Sequence, residues 1–155
     1  MIHDVSTHGW HVMKVLGTTV DQGWAFSIGL FHTFNHPEVL MFGLRLEAMH
    51  QVINAVGLQI RAGRRLDPDT EVDDLLEGYR CTFKVVDPVW YELVLGYATW
   101  YYKGHAFPTL QCFWPDRDHR FPWDPRFDSA LIARQPLLFQ KDTQQARAHG
   151  LAAKS

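Results

Sequence analysis

His36 and Glu38 are the first residues in this chain whose types and spacing could do chemistry. In an extended stretch, residues two apart lie on one side of the backbone. An imidazole beside a carboxylate can act as an acid–base pair, because the carboxylate fixes the tautomer and raises the basicity. With Asp116 as an orienting carboxylate, the pair would suit a hydrolase or a transferase. The plainer alternative has His36 bracing the loop before Pro37 and Glu38 paired with an arginine. A second group surrounds Trp114-Pro115-Asp116. Trp114 and Trp123 offer aromatic faces, while Gln111, Asp116 and Asp124 offer polar anchors, the usual lining of a small-molecule pocket. Asp116 is equally a turn residue, whose carboxylate bonds the backbone two residues on. Ser27 adds a hydroxyl between the small neighbours Ala25 and Gly29.

Other chemistries find less support. His8 and His11 are three apart and His32 and His36 four apart, spacings that pair metal ligands on a helix. Both pairs fall in segments that read as strand or loop, without a third ligand at a recognisable spacing. No stoichiometric metal and no cofactor are therefore expected. No GxGxxG, Walker A or GxSxG string occurs, and neither Ser27 nor Ser129 has a context that would activate it. Cys81 and Cys112 are the only cysteines, each inside an apolar run. They read as buried thiols of a reducing compartment.

The elements that must position these residues follow from periodicity. Residues 10–16, 24–30, 38–44, 80–86 and 109–114 read as five strands. In the second, Trp24, Phe26, Ile28 and Leu30 form one large face, and Ala25, Ser27 and Gly29 a small one. That small face should lie under a helix or a ligand. The third is apolar on both faces and so belongs in the centre of the sheet. The fourth alternates, with Cys81, Phe83 and Val85 inward. Leu46, Met49, Ile53, Val56 and Ile60 keep helical spacing, predicting a helix over 46–62. Residues 71–77 follow a capping-box-like Thr70-Glu71-Val72-Asp73 and read as a short helical turn. Asp87-Pro88 opens a second helix running through Trp90, Val94, Tyr97 and Tyr101. Residues 31–37 read as a loop, as do those from Pro115 onward, with a short helix or edge segment over 129–139.

Taken in order, Gly9-Trp10-His11-Val12, Phe26-Ser27-Ile28-Gly29-Leu30, His36-Pro37-Glu38, Phe42-Gly43-Leu44, and Gln111 with Trp114-Pro115-Asp116 and Phe121-Pro122-Trp123 resemble the family known as domain of unknown function 4262. The resemblance runs from about Gly9 to about Asp124. It implies a small, mostly bacterial, soluble domain and carries no established activity. The family pattern has Tyr or Phe before Thr-x-Gly-Leu; here Ser27 supplies the hydroxyl.

The chain has 155 residues, 46% hydrophobic and 21% charged, with a net charge of −2. That composition excludes a disordered chain and lacks the basic footprint of a nucleic-acid binder. No apolar run reaches the ~18–20 residues of a membrane span. Met1-Ile2-His3-Asp4 lacks a basic flank and an apolar stretch, so a cytoplasmic location is expected. The expectation is one α+β domain over 1–139 with a polar tail over 140–155. Its sheet is mixed but largely antiparallel, with about five strands and two main helices. If the third and fifth strands run antiparallel as neighbours, His36, Glu38, Gln111 and Asp116 converge on one concavity walled by Trp114 and Trp123. Its occupant would be a small molecule or a protein. Three functions are open: a binding module, with Ser27, Gln111, Trp114 and Trp123 holding the ligand; an enzyme working through His36 and Glu38; and an interaction protein of the immunity or antitoxin kind.

Overall fold

A computed structural model describes residues 2–17 and 23–141. Most of the turn expected over 17–23, and nearly all of the polar tail, lie outside the described residues. The chain opens with a helix the sequence reading did not anticipate, α1 (Ile2–His8). Strand β1 (His11–Val15) pairs antiparallel with β2 (Trp24–Ile28), with Val12 opposite Ser27. A one-turn helix, α2 (Leu30–Phe34), occupies part of the expected 31–37 loop. It leads to β3 (Glu38–Phe42), antiparallel to β2 with Leu40 opposite Phe26.

Helix α3 (Leu46–Arg61) follows, with Met49, Val52, Ile53, Val56 and Ile60 buried on the expected face. Strands β4 (Glu71–Leu76) and β5 (Tyr79–Val85) form a hairpin. Next come α4 (Tyr91–Val94) and α5 (Gly96–Tyr102), and then β6 (Thr109–Phe113). Among the described residues, six strands lie in the order β1-β2-β3-β6-β5-β4, and five α-helices accompany them. The fold is therefore α+β with a mixed sheet, larger than the five strands and two helices expected.

Two apolar layers cover the sheet. Ala25, Val39, Met41, Cys81, Phe83, Leu110 and Cys112 face the buried stripe of α3. Phe26, Ile28, Leu40 and Phe42 face Trp90, Tyr91, Val94, Leu95 and Ala98 on the other side. Every residue of β3 is buried, as a central strand requires. Ala25 and Ser27 are wholly buried, so the small face of β2 is covered. At its end Gly29 has φ of 114°, and a Cβ there would stand 2.7 Å from the Gly9 carbonyl oxygen. A side chain is excluded from that position on both counts.

Three expectations need correcting. Residues 71–77 are not a helical turn but mostly strand β4, in which Val72 is buried while Glu71 and Asp73 are exposed. Leu76 pairs with Tyr79 across the two-residue turn Glu77-Gly78, where Gly78 takes φ of 79°. A glycine in such a turn signals a hairpin more strongly than the capping-box likeness signals a helix. The helix opened by Asp87-Pro88 is not continuous: a 3-10 turn, Pro88–Trp90, leads into α4, and α5 is separate because Leu95 leaves helical geometry (φ −126°, ψ 36°) ahead of the poor helix former Gly96. Val85 is 52% exposed rather than inward, so the alternation of β5 lapses at its end.

Candidate functional site

Glu38 is fully buried, and every polar contact it makes is with a donor. Its Oε1 accepts from Ser27 Oγ at 2.7 Å and from the Leu30 N–H at 3.2 Å. Its Oε2 accepts from the N–H groups of Gly29 at 2.9 Å and Phe31 at 3.3 Å, and from the Tyr102 hydroxyl in a short contact. The carboxylate thus closes the open end of α2, whose first N–H groups have no partner within the helix. Ser27 Oγ also accepts from the Val39 N–H, standing in where β2 and β3 lose their ladder. Burial pushes the Glu38 pKa up, against the pull of the donors. Burial and the Glu38 charge push the Tyr102 hydroxyl up as well.

His36 is similarly committed. Its Nε2 accepts from the Leu66 N–H at 3.0 Å, and Nδ1 donates to the Pro37 carbonyl at 2.9 Å. An N–H can only donate and a carbonyl only accept, so these partners fix the neutral tautomer. Burial holds its pKa below the usual imidazole value. His36 and Glu38 therefore do not form an acid–base pair: each side chain is bonded to a different part of the chain.

The expected convergence fails for a definite reason. β3 and β6 are neighbours but run parallel, with Glu38 opposite Thr109 and Leu40 opposite Gln111. Their starts lie side by side, which leaves His36 and Glu38 at one end of the sheet and Asp116 beyond the other. Gln111 is buried between, donating to the Pro136 carbonyl and accepting from the Leu138 N–H. Asp116 organises its own loop, accepting from the N–H groups of Asp118, Arg120 and Asp128. Burial raises its pKa, but those three backbone bonds outweigh it and hold the net value down. Trp114 is buried, its indole N–H bonded to the Phe42 carbonyl and its backbone clasped by the Gln135 side chain. Trp123 is part-exposed, stacked on Phe121 with Lys84 Nζ 4.8 Å from its ring centre. Asp124 binds Arg126.

The open space near these residues lies against the β4–β5 hairpin. A hollow of about 520 Å³ is walled by Tyr79, His119, Phe121 and Pro115, with Asp73 and Arg80 at its rim. The Tyr79 and His119 rings are 5.2 Å apart at 34°. Arg80 pairs with Glu71 at 3.1 Å, while the Asp73 side chain makes no hydrogen bond or ion pair among the described residues. A second, more apolar hollow of about 300 Å³ shares Tyr79 and Pro115 and reaches Trp114, Asp116 and Leu131. Of the candidate site residues read from the sequence, Trp114 and Asp116 line the smaller hollow and none lines the larger; Tyr79 and Asp73 on the hairpin were not among them. The signal available for them was the Glu77-Gly78 turn. Among the described residues no group of three or more His, Cys, Asp or Glu is placed to hold a metal ion. Among them, too, no helix is long and apolar enough to cross a membrane.

A sequence model of one family, described as Domain of unknown function (DUF4262), matches residues 4–128. No curated protein and no solved structure matches the chain.

Proposed function

The chain belongs to the DUF4262 family, and for it we propose a binding function: the hollow between the hairpin and the 115–121 loop takes a small planar molecule bearing N–H donors. The observation that carries this is the wall of Tyr79, His119 and Phe121 beside the carboxylate of Asp73, which has no partner among the described residues. Aromatic faces stack planar rings. A carboxylate without a protein partner favours a ligand that donates hydrogen bonds or carries positive charge. The volume of about 520 Å³ lies within the range of small-molecule sites. An enzyme built on His36, Glu38 and Asp116 has less support, because a general base needs a lone pair facing its substrate. All three direct theirs at backbone or side-chain donors of the chain itself. In this reading the protein is a soluble bacterial domain of the cytoplasm working without a cofactor. The two free buried thiols, Cys81 and Cys112, suit a reducing compartment.

Native mass spectrometry of the purified protein, followed by a thermal-shift panel of amino-substituted nitrogen heterocycles, tests the proposal. A ligand at ten times its Kd adds about 1.4 kcal/mol, or about 3–5 °C in Tm for a chain of this size. The shift should vanish in Tyr79→Ala and shrink in Asp73→Asn. A panel without any binder, or binders indifferent to Tyr79→Ala, would refute it.

A further inference from the structure

The outer edge of β1 is the second place where the molecule is open. β1 ends the sheet order, so its far side has no strand partner among the described residues. A groove of about 750 Å³ runs along it. One bank is four successive β1 residues, His11 to Lys14. The other is a stripe of α3, His50, Asn54, Leu58 and Arg61, spaced by four, four and three. Trp10 is the floor. Its indole N–H donates to Asn54 Oδ1 at 3.0 Å, and its ring lies so close to α3 that a Cβ on Gly57 would stand 2.4 Å from it.

Among the described residues, two cations and one carboxylate line the groove. Lys14 stands on one bank and Arg61, 5.6 Å from the Trp10 ring centre, on the other. Its one carboxylate among the described residues, Asp4, is held by His11 Nδ1 at 2.5 Å. Glu47, outside the groove, stands 4.0 Å from Lys14 and is largely exposed. Leu58, half-exposed, offers an apolar seat between the charges. In an antiparallel pair, alternate residues turn N–H and C=O away from the partner strand, leaving a template for one more strand.

We propose that this groove binds an extended acidic peptide, which adds to the sheet beside β1 and sets its carboxylates against Lys14 and Arg61. A strand edge facing a helix stripe gives the main-chain bonds of strand addition, and the facing side chains give the selectivity. A small anion would use the charges but not the edge. Lys14 alone could be a guard against edge-to-edge pairing; Arg61 on α3 has no such role, and it lines the same groove.

An array of degenerate octapeptides probed with the whole protein should select acidic sequences. A selected peptide, titrated in solution, should shift the amide resonances of residues 11–15. Its Kd should weaken about tenfold in the double variant Lys14→Glu/Arg61→Glu, the effect of two exposed charges worth ~0.7 kcal/mol each. A copy N-methylated at alternate residues should not bind. Circular dichroism checks that the variant folds; Lys14→Gln/Arg61→Gln replaces it if it does not, with a smaller loss expected. The proposal is overturned if no acidic sequence is selected, if charge reversal leaves Kd unchanged, or if the N-methylated copy binds equally well, which would leave only an anion site.

Discussion

Replacing Glu38 by Gln removes one of two acceptor oxygens from a buried cluster of five donors. Placed where Oε2 stands, the amide oxygen keeps Gly29, Phe31 and Tyr102. The NH₂ then faces Ser27 and the Leu30 N–H. Ser27 can turn its hydroxyl and accept; the Leu30 N–H cannot. One orphaned buried N–H costs about 1–3 kcal/mol. A protonated Glu38 still accepts from Leu30 where the Gln amide nitrogen cannot, so this cost applies in acid as well. A net loss of about 2 kcal/mol follows, or roughly 4–8 °C in Tm at this chain length. Scanning calorimetry and urea titration read it. The pH dependence has a definite sign. Burial raises the Glu38 pKa in the native state. The stability this adds to the wild type is complete below about pH 4.3, where the unfolded glutamate is protonated. It is lost as pH rises through the raised native value. The gap between wild type and Glu38→Gln should therefore be widest in acid and narrow as pH rises. A Tm within about 2 °C of wild type, or a gap that widens with pH, would refute this account of the cluster.

His36→Ala should cost about 2–4 kcal/mol in urea titrations, since it strands the Leu66 N–H and leaves a cavity. The burial-depressed pKa of His36 means that its contribution is present above the unfolded value of ~6.5 and lost as pH falls through the native one. Wild-type stability should drop below about pH 6.5, less steeply in His36→Gln. Asp116→Asn should loosen the loop that its carboxylate ties together, measured as faster trypsin cleavage after Arg117, Arg120 or Arg126. Gly57→Ala gains about 1 kcal/mol of helix propensity but drives a methyl into Trp10. It should still lower Tm, since overpacking costs about 1–3 kcal/mol and the indole is pinned by Asn54.

What could be read from the residues was whatever depends on near neighbours. The stripe of Met49, Ile53, Val56 and Ile60 fixed α3, and the two-sided apolarity of 38–44 put β3 in the centre of the sheet. Asp116 behaves as the turn residue that its place after Trp-Pro allowed. Pairing direction was not legible. Nothing in Glu38 or Gln111 says whether their strands run parallel, and the proposed shared site depended wholly on that. Tyr102 could not be connected to Glu38 in advance, because α4 and α5 must pack on the sheet before the hydroxyl arrives. The difference over 71–77 is local: the Thr-x-x-Asp string favours a helical turn, and the glycine that turns Leu76 back onto Tyr79 overrides it.

The parallel contact between β3 and β6 has a consequence for synthesis. When β1, β2, β3 and α3 have left the ribosome, they can already pack on one another. Yet β3, buried along its whole length in the finished protein, still has a bare edge. The strand that covers it comes only after α3, the β4–β5 hairpin and both α4 and α5 have been made. Contacts between distant parts of a chain form slowly, and an exposed apolar strand edge invites pairing with other nascent chains. The interval before residue 113 emerges is thus the period in which this protein most needs a chaperone, and a stalled or truncated product ending inside it should be the most prone to aggregate.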